Sequence, residues 1–547
     1  MSESKNMTGG EAMLRAVVAN GIDTIFGLPG AQIYPLFDAI YRSPDVNAII
    51  SRHEQGAAYM AYGYSAATGR PGAFAVVPGP GILNASAALC TAQACNKPVL
   101  CLTGQIMSEY LGIGRGHLHE LPDQLATLAS IVKRADRIDD PANTSVQMNR
   151  AFRQMQSGRP GPASVEMCWD TMAKSWDVEI GPGNVLIDRP TVNDDEISAA
   201  AELIANAKNV MIMCGGGAQH ASAEVRQLAT MLGASVTAFR SGRGVVSEDS
   251  PCGISSAAAY LLWPDTDLLI GIGSRLEMQY MRWESMAHYI DRPPDGGAKL
   301  IRIDIDPEEM QRFKPDVAVV ADSIGGTRAL IEKVGMKGFI DGDLDRIAAA
   351  KMQARKNIEE IQPQMSYLDT IRDVLPRDGY FVEELCQVGF TSNFGFDIYE
   401  PRTYVTTGYQ GTLGYGFPTA IGVKAAMPDR AVLSIIGDGG FMFGMPELAS
   451  ALQHGIGLIT IVFNNNSFGN VRRDQQLKFD SNLIGADLVN PDFVKLAESF
   501  GVAGYRVDSP ADLKPALAKA IEDDEPAIIE VVIERGAETS PWKYIHR

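Results

Sequence analysis

Residues 431–469 have the sequence AVLSIIGDGGFMFGMPELASALQHGIGLITIVFNNNSFG. Two short apolar runs, AVLSII and LITIVF, stand on either side of a helix-like segment, and this pattern predicts a β-α-β unit with parallel strands. Asp438 follows the first run, and Asn465 follows the second. Because the carboxyl ends of parallel strands share one edge of a sheet, we expect these two side chains to converge on one point.

The residues around Asp438 and Asn465 are suited to a metal ion bound to a diphosphate. Gly437, Gly439 and Gly440 allow the backbone to approach a phosphate closely, and the helix that follows contributes its positive N-terminal dipole. A carboxylate, an amide oxygen, a backbone carbonyl and diphosphate oxygens together make an octahedral oxygen site of the kind that Mg²⁺ prefers. The alternative is a plain Gly-Asp-Gly turn followed by an unrelated asparagine-rich loop.

The rest of the chain repeats this alternation of short apolar runs and helical segments. We therefore predict an α/β protein with three doubly wound parallel-sheet domains, at residues 1–175, 190–340 and 360–547. A polar, Gly/Pro-rich stretch separates the first two domains, and a charged helical run separates the second from the third. The first and last domains are expected to be distant structural copies of each other.

Composition argues against several classes of protein. A net charge of −18 disfavours a nucleic-acid partner. The seven cysteines form no CxxC pair, which argues against a zinc site and indicates the reduced thiols of a cytoplasmic protein. The N-terminus lacks the basic and apolar regions of a signal peptide, and no apolar run reaches about 18 residues, so we expect no membrane span.

The segment GDGGF…NNNSFG resembles the thiamine diphosphate motif, which begins with GDG and ends in an asparagine pair. Further segments resemble the acetolactate synthase branch of the thiamine-diphosphate-dependent enzymes, which also includes pyruvate oxidase, benzoylformate decarboxylase and benzaldehyde lyase. In chain order they are FGLPGAQIYPLFDAI, SRHEQGAAYMAYGYSAATGRPG, GRPGPASVEM, DLLIGIGSR, IRIDIDPEE and GTLGYGFPTAIG. The resemblance implies pyrimidine-binding, central and diphosphate-binding domains, the cofactors thiamine diphosphate and Mg²⁺, and active sites between the subunits of a homodimer or homotetramer.

By the same resemblance, the metal ligands are the side chains of Asp438 and Asn465 and the backbone carbonyl of Ser467. Glu54 is implied to share a proton with the aminopyrimidine ring of the cofactor; alternatively, it is an ordinary glutamate at a helix N-terminus. Leu413 matches the bulky apolar residue that holds the two cofactor rings in a V, and its alternative is a buried core leucine. The other implied cofactor-binding residues are Gly411, Gly437, Gly439, Gly440, Phe468 and Gly469, together with Pro29, Gly30 and Asn84, which are equally explained as turn residues.

Two histidines and two polar residues bear on the choice of substrate. His117 and His119 lie in one loop of the first domain, and they are candidate catalytic residues, with His119 as a general acid/base; a structural role is the alternative. Asn470 and Asp474 occupy positions where acetolactate synthases have an apolar residue and a tryptophan. A substrate pocket formed by His119, Asn470 and Asp474 would take an acceptor with hydroxyl groups or charge, whereas a drifted, solvent-facing loop would have no such role.

These features predict a Mg²⁺- and thiamine-diphosphate-dependent carboligase or lyase that acts on a small 2-ketoacid or 2-hydroxyketone through an enamine intermediate. The alternative is a 2-ketoacid decarboxylase, favoured if His119 protonates that intermediate. FAD in the central domain would indicate a flavin-linked oxidase. Neither CGGGAQ nor GIGSRLE completes GxGxxG, which also counts against a dinucleotide-dependent dehydrogenase. A protein that only bound the cofactor would not need the proton relay of Glu54.

Overall fold

Three parallel sheets form the architecture of this protein. The structure is a computed structural model, and it describes residues 5–183, 185–276, 297–312, 314–336 and 342–545. Within these ranges, each large sheet has six strands that run parallel to their neighbours, and a two-stranded antiparallel ribbon joins the two ends of the first domain. The predicted fold class, an α/β protein with three doubly wound parallel sheets, is confirmed.

The N-terminal domain contains the first sheet and the antiparallel ribbon. Its strands are β1 (Lys5–Thr8), β2 (Thr24–Gly27), β3 (Asn47–Ile50), β4 (Gly72–Val76), β5 (Val99–Gln105), β6 (Arg134–Arg137), β7 (Ala163–Cys168) and β8 (Ser175–Val178). Its helices are α1 (Gly9–Ala19), α2 (Tyr34–Arg42), α3 (Glu54–Thr68), α4 (Pro80–Ala94), α5 (Gln124–Ala129), α6 (Thr144–Gln156) and α7 (Trp169–Ala173). The sheet order is β3-β2-β4-β5-β7-β6. β4 and β5 are buried along their whole length, as central strands covered by helices on both faces must be.

The central domain contains the second sheet. Its strands are β9 (Val210–Cys214), β10 (Ser235–Ala238), β11 (Gly253–Ile254), β12 (Leu268–Ile272), β13 (Lys299–Asp304) and β14 (Val317–Val320). The described helices are α8 (Asp194–Ala205), α9 (Ser222–Leu232), α10 (Ser256–Leu262), α11 (Glu309–Arg312) and α12 (Ser323–Gly335). The order β11-β10-β9-β12-β13-β14 reverses direction between β9 and β12, and this switch opens a crevice at their carboxyl ends.

The charged run predicted as a linker forms a helix, α13 (Leu344–Ile358). Its apolar face, which includes Ile347 and Ala354, is buried in the same core cluster as Leu262 of α10. The helix therefore packs against the central domain, as its amphipathic pattern requires. The three sheets lie inside the predicted domain ranges, and the exact boundaries stay predictions.

The C-terminal domain repeats the topology of the N-terminal domain. Its strands are β15 (Tyr380–Glu383), β16 (Tyr404–Val405), β17 (Val432–Gly437), β18 (Ile459–Asn464), β19 (Ala503–Val507) and β20 (Ala527–Val532). Its helices are α14 (Gln364–Val374), α15 (Gln387–Gly395), α16 (Gly416–Ala426), α17 (Asp438–Gly444), α18 (Leu448–Gln453), α19 (Gly469–Lys478), α20 (Phe493–Ser499), α21 (Pro510–Asp523) and α22 (Trp542–Ile545). The order β16-β15-β17-β18-β20-β19 corresponds strand for strand to that of the N-terminal sheet. This correspondence agrees with the expectation that the two domains are structural copies.

Close packing of α3 against α16 joins the first and third domains. A Cβ on Gly63 would lie 2.0 Å from the carbonyl oxygen of Thr419, and a Cβ on Gly422 would lie 1.9 Å from that of Met60. Only glycine permits the two helices to approach so closely. Because α3 begins at Glu54, this contact fixes the helix that carries the predicted catalytic acid.

Candidate active site

Asp438 and Asn465 lie at the same carboxyl edge of the C-terminal sheet. β17 and β18 are adjacent and parallel, and Gly437 is paired with Phe463 in their register. Asp438 begins α17 directly after β17, and Asn465 directly follows β18. Both residues line one cavity of about 260 Å³. The structure thus brings together the two side chains that the sequence proposed as metal ligands.

Asn490, which the sequence analysis did not identify, holds Asp438 in place. Asn490 Nδ2 donates to Asp438 Oδ2 at 2.6 Å and to Asn464 Oδ1 at 3.0 Å. Asn464 is itself buried, and its Nδ2 donates to Glu530 Oε1 at 2.7 Å. Asn464 therefore has a structural role, and Asn465 is the member of the asparagine run that reaches the cavity.

Glu538 is a second acidic residue of the cavity that the sequence did not reveal. Asn465 Nδ2 donates to Glu538 Oε2 at 2.6 Å, while Asn465 Oδ1 accepts from the backbone N–H of Ser467 at 3.0 Å. Burial raises the pKa of Glu538 to about 7, with a further contribution from the charge of Asp438. Burial also raises the pKa of Asp438. A divalent cation would counteract both shifts, because a nearby positive charge favours the ionised carboxylates.

The donor atoms and the shape of this cavity fit Mg²⁺ and a diphosphate. The described residues contain no cluster of three or more His, Cys, Asp or Glu side chains that could hold a metal. A cation here would rely instead on one carboxylate together with amide, backbone and diphosphate oxygens, which is the usual environment of Mg²⁺. A Cβ on Gly439 would lie 2.3 Å from the Phe468 ring, and one on Gly440 would lie 2.3 Å from Glu384 Oε1. A larger residue at either position would displace Phe468 or Glu384, so glycine is favoured here and leaves the backbone accessible.

The described residues that line the cavity all belong to the C-terminal domain. The predicted residues that line it are Gly411, Leu413, Gly437, Asp438, Gly439, Gly440, Asn465, Ser467, Phe468, Gly469 and Asn470. The lining residues that were not predicted are Leu385, Cys386, Gln387, Phe390, Phe463, Val471 and Glu538. Gln387 is 8% exposed, and its Oε1 has no hydrogen-bond partner in the described part of the chain. An unpartnered buried amide at a cavity wall is available to a ligand.

Glu54 lies in a separate group of predicted residues on the N-terminal domain. It is the first residue of α3, and its Oε2 accepts from Asn84 Nδ2 at 3.0 Å. The start of α3 is fixed by the buried carboxylate of Glu447, which accepts from the backbone N–H groups of Arg52 and His53. Within the described ranges, no hydrogen bond or ion pair joins this group to Asp438 or Asn465.

His119 lies near Glu54. Its Nδ1 is 2.8 Å from Gln32 Oε1, and Gln32 Nε2 donates to the carbonyl of Leu118. Burial lowers the pKa of His119, and the nearby Glu54 carboxylate partly offsets the shift. His119 has a φ of +64°, and a Cβ on Gly79 would lie 2.4 Å from its carbonyl oxygen. The loop before α4 therefore packs closely against the backbone of His119.

The other predicted residues lie in different surroundings. The ring of His117 stacks on Tyr110 at 4.1 Å, and its buried Nε2 has no hydrogen-bond partner in the described residues. Gly30 packs against Val77 of the first domain, and Pro29 precedes it in an exposed turn. Asp474 forms ion pairs with two cations of its own helix, Arg473 and Lys478, and it is not among the lining residues of the cavity.

Comparison with known proteins identifies the family. Three profiles of the thiamine pyrophosphate enzymes match the chain: the N-terminal TPP binding domain at residues 7–127, the central domain at 197–330 and the C-terminal TPP binding domain at 386–531. The chain is 32% identical to a probable acetolactate synthase large subunit of Methanocaldococcus jannaschii, over 96% of this chain and 92% of the relative. The chain belongs to the thiamine pyrophosphate enzyme family. The predicted membership, in the acetolactate synthase-like branch, is confirmed.

Other relatives in the family differ in their activities. The chain is 31% identical to a probable 2-ketoarginine decarboxylase of Pseudomonas aeruginosa, over 94% of this chain and 91% of the relative. It is 30% identical to the acetolactate synthase large subunit of Corynebacterium glutamicum, over 98% of this chain and 88% of the relative. The protein is therefore a thiamine-diphosphate-dependent carboligase or decarboxylase, and not a dinucleotide-dependent dehydrogenase. Among the described residues, no helix has the length and apolar character needed to cross a membrane.

Proposed function

We propose that this protein is a Mg²⁺- and thiamine-diphosphate-dependent carboligase or lyase that acts on a small 2-ketoacid or 2-hydroxyketone. The observation that carries the proposal is that Asp438 and Asn465 share one glycine-lined cavity. When bound, thiamine diphosphate supplies a nucleophilic carbon and an electron sink for the reaction. Asp438, Asn465 and the backbone carbonyl of Ser467 would hold the cation, and the accessible backbone of Gly439 and Gly440 would face the diphosphate.

Glu54 is proposed to hold the proton that is exchanged with the pyrimidine ring. The hydrogen bond from Asn84 and the anchoring of α3 by Glu447 fix the position of its carboxyl group. Preorganisation of this kind is what proton transfer at a defined atom requires. Leu413, as an apolar lining residue of the cavity, would support the cofactor rings from the C-terminal side.

We further propose that two chains associate to complete each site, as a homodimer or homotetramer. In the part of the chain that the structure describes, the cavity is lined by residues between 385 and 538, so a proton-exchanging Glu54 would be supplied by a second chain. Exposed apolar side chains adjoin both groups of site residues: Leu83 and Leu118 near Glu54, and Phe443 and Val471 near the cavity. Exposed apolar surface around an incomplete site favours an interface between copies.

Mixing two inactive variants tests the proposal directly. Glu54→Gln and Asp438→Ala each remove one half of the machinery. A dimer that contains one chain of each kind has one site with both substitutions and one intact site. Random exchange at equal amounts should therefore restore about one quarter of wild-type turnover of a 2-ketoacid panel, measured as CO₂ release and ligated product. Failure of the mixed sample to regain activity, with subunit exchange verified by mass, would contradict the shared site.

A 2-ketoacid decarboxylase is the second candidate, and His119 favours it. Burial lowers the pKa of His119, so its imidazole is neutral near pH 7, close to Glu54. An imidazole at this place could hold the proton that a decarboxylase delivers to its product. In the same substrate panel, CO₂ release without ligated product would favour the decarboxylase, and loss of that release in His119→Gln would support the role of this residue.

The central domain contains a crevice in which FAD would bind if the protein were a flavin-linked oxidase. A crevice of about 440 Å³ opens beside the carboxyl ends of β9 and β12, and four arginines contribute to its lining: Arg159, Arg189, Arg275 and Arg402. Asp304, Glu309 and Asp322 also line the crevice, and Glu309 pairs with Arg159 and Arg275. A switch point lined by arginines fits the phosphates of a nucleotide, which would compete with Glu309 for these cations. FAD in this crevice would support a flavin-linked oxidase. An absorbance scan of the purified protein tests whether FAD is bound, because a flavin band at about 450 nm would favour the oxidase over the lyase.

A further inference from the structure

The segment after β20 runs back across the edge of the sheet and contacts the cavity at several points. Arg535 Nη2 donates to the carbonyl of Asn466 at 2.7 Å, next to the predicted metal ligand. Glu538 accepts from Asn465 inside the cavity, and Ser540 Oγ is 2.6 Å from Arg473 Nη1. These contacts determine where the next residues of the segment lie.

Trp542 follows this anchored stretch and packs against two lining residues of the cavity. Its ring lies 5.1 Å from that of Phe390, and the guanidinium of Arg473 lies over it at 5.2 Å. Its Nε1 donates to Asn470 Oδ1 at 2.7 Å. Phe390 and Asn470 both line the cavity, so Trp542 supports the cavity wall from behind.

The hydrogen bond from Trp542 decides which end of the Asn470 amide is left for a ligand. An indole N–H can only donate, so the atom that faces it must be the amide oxygen. The amide nitrogen of Asn470, with its two N–H groups, then remains, and no described residue accepts from it. Asn470 therefore offers donors, and not an acceptor, to whatever binds beside it.

We propose that the substrate carries an oxygen acceptor, such as a second carboxylate, a carbonyl or a hydroxyl group, on the part that lies against Asn470. Trp542 acts as the positioning residue that fixes the polarity of this contact. A cationic tail would meet two N–H donors and be disfavoured, and a methyl group would leave both of them unpaired. This inference rests on the proposed function, since it concerns the substrate of the same site.

The test compares ligands that differ only in their tail. The probes are two acylphosphonates, which imitate 2-ketoacids but cannot lose CO₂, one ending in a carboxylate and one of equal chain length ending in a methyl group. Calorimetry on the full chain, loaded with thiamine diphosphate and Mg²⁺, gives both dissociation constants. The wild type should bind the carboxylate-tailed probe at least about tenfold more tightly. Equal binding of the two probes, or tighter binding of the methyl-tailed probe, would overturn the inference.

Two variants distinguish the effect of the Asn470 hydrogen-bond donors from the effect of packing by Trp542. Asn470→Asp keeps the size of the side chain but replaces the N–H donors by an oxygen, so the preference for the carboxylate-tailed probe should be lost or reversed. Trp542→Phe keeps a ring but frees the amide to turn, so the preference should shrink while binding of the methyl-tailed probe changes less than about threefold. Trp176→Phe is the matched control, because it removes an indole donor to a backbone carbonyl, that of Thr171, in the N-terminal domain. An unchanged preference in Asn470→Asp would also overturn the inference.

The two proposals can fail separately. Steady-state rates are measured in parallel with 2-oxoglutarate, 2-oxopentanoate and 5-guanidino-2-oxopentanoate. We expect kcat/KM to be highest for 2-oxoglutarate, which carries the second carboxylate. Turnover of 2-ketoacids without a preference for the oxygen-bearing tail would refute the inference and leave the proposed function standing. A preference in probe binding without turnover of any 2-ketoacid or 2-hydroxyketone would refute the proposed function and support the role of Asn470.

Discussion

Replacing Gly422 by alanine should force apart the two helices that join the first and third domains. A Cβ at this position would lie 1.9 Å from the carbonyl oxygen of Met60, and Cβ atoms in proteins essentially never lie within 3.0 Å of another heavy atom in such a contact. The helices would therefore have to separate locally by at least 3.0 − 1.9 = 1.1 Å. The obstacle is backbone, so no side-chain rotation can relieve it.

The size of the effect follows from the packing of α3 and α16. Overpacking of a well-packed core costs about 1–3 kcal/mol, and a backbone obstacle between two buried helices places Gly422→Ala near the upper end, at about 3 kcal/mol. Gly63→Ala requires nearly the same movement, 3.0 − 2.0 = 1.0 Å, on the other helix. Because one separation relieves both contacts, the double variant should lose clearly less stability than the sum of the two single losses.

Thermal and urea unfolding of the full chain, followed by circular dichroism, measure these losses. Gly325→Ala is the matched control: Gly325 lies in α12, and its added Cβ would meet only Val192 at an ordinary 3.6 Å, so stability should stay the same or rise. A Gly422→Ala protein as stable as the wild type would refute the packing argument. Fully additive losses in the double variant would refute the shared helix movement.

Four further predictions concern buried charge and the site. Glu54→Gln should keep thiamine diphosphate affinity but lower kcat by about 100-fold or more; unimpaired turnover would show that the proton is held elsewhere. Asp438→Ala should abolish Mg²⁺-dependent cofactor binding in calorimetry, and an unchanged affinity would rule out the metal site. Burial raises the pKa of Glu384 from 4.5 to about 8. Between these pH values the folded state binds one more proton than the unfolded state, so the wild type loses stability as the pH rises through this range. Urea unfolding across the same range should show a flatter stability profile in Glu384→Gln. Arg243→Met should cost about 3–5 kcal/mol, because it removes the ion-pair partner of the buried Glu248 carboxylate, and adding Glu248→Gln should recover part of that loss in the same unfolding assay.

The sheets and the placement of Asp438 beside Asn465 could be predicted because the information is local. The runs AVLSII and LITIVF contain the buried strand residues 432–436 and 459–463, and adjacent parallel strands joined by one helical connection must end at the same edge. The correspondence of the first and third domains could be expected for the same reason, since both consist of repeated β-α units. Periodicity and turn residues are enough to specify this level of structure.

The residues that complete the cavity could not be predicted, because they come from distant parts of the chain. Asn490, which holds Asp438, is 52 residues away from it, and Trp542 is 72 residues away from Asn470. No periodicity or motif links such pairs, and only the tertiary fold brings them together. Glu538 belongs to an irregular segment after the last strand, where sequence gives no signal for the direction of a side chain.

The different surroundings of His117 and His119 could not be predicted from the sequence. His117 and His119 are two residues apart, yet one stacks on Tyr110 and the other contacts Gln32 beside Glu54. The left-handed backbone at His119, with a φ of +64°, separates their directions. A positive φ is uncommon for residues other than glycine, and although histidine is among the residues enriched there, the residue type alone does not predict it. Nearness in sequence therefore does not imply a shared role for these side chains.

The division of the site between two domains has a physical consequence for how the enzyme must assemble. Among the described residues, the cavity takes its lining from residues 385–538, whereas Glu54, Asn84 and His119 lie on the N-terminal domain. The glycine contacts between α3 and α16 hold these two domains of one chain in a fixed relation, so Glu54 cannot swing toward its own cavity without breaking a buried backbone contact. In the proposed dimer, a second chain would supply its Glu54 to the cavity without breaking that contact. If the proposed role of Glu54 is right, we expect association of two chains to be required for turnover, and the mixture of Glu54→Gln and Asp438→Ala chains tests this expectation.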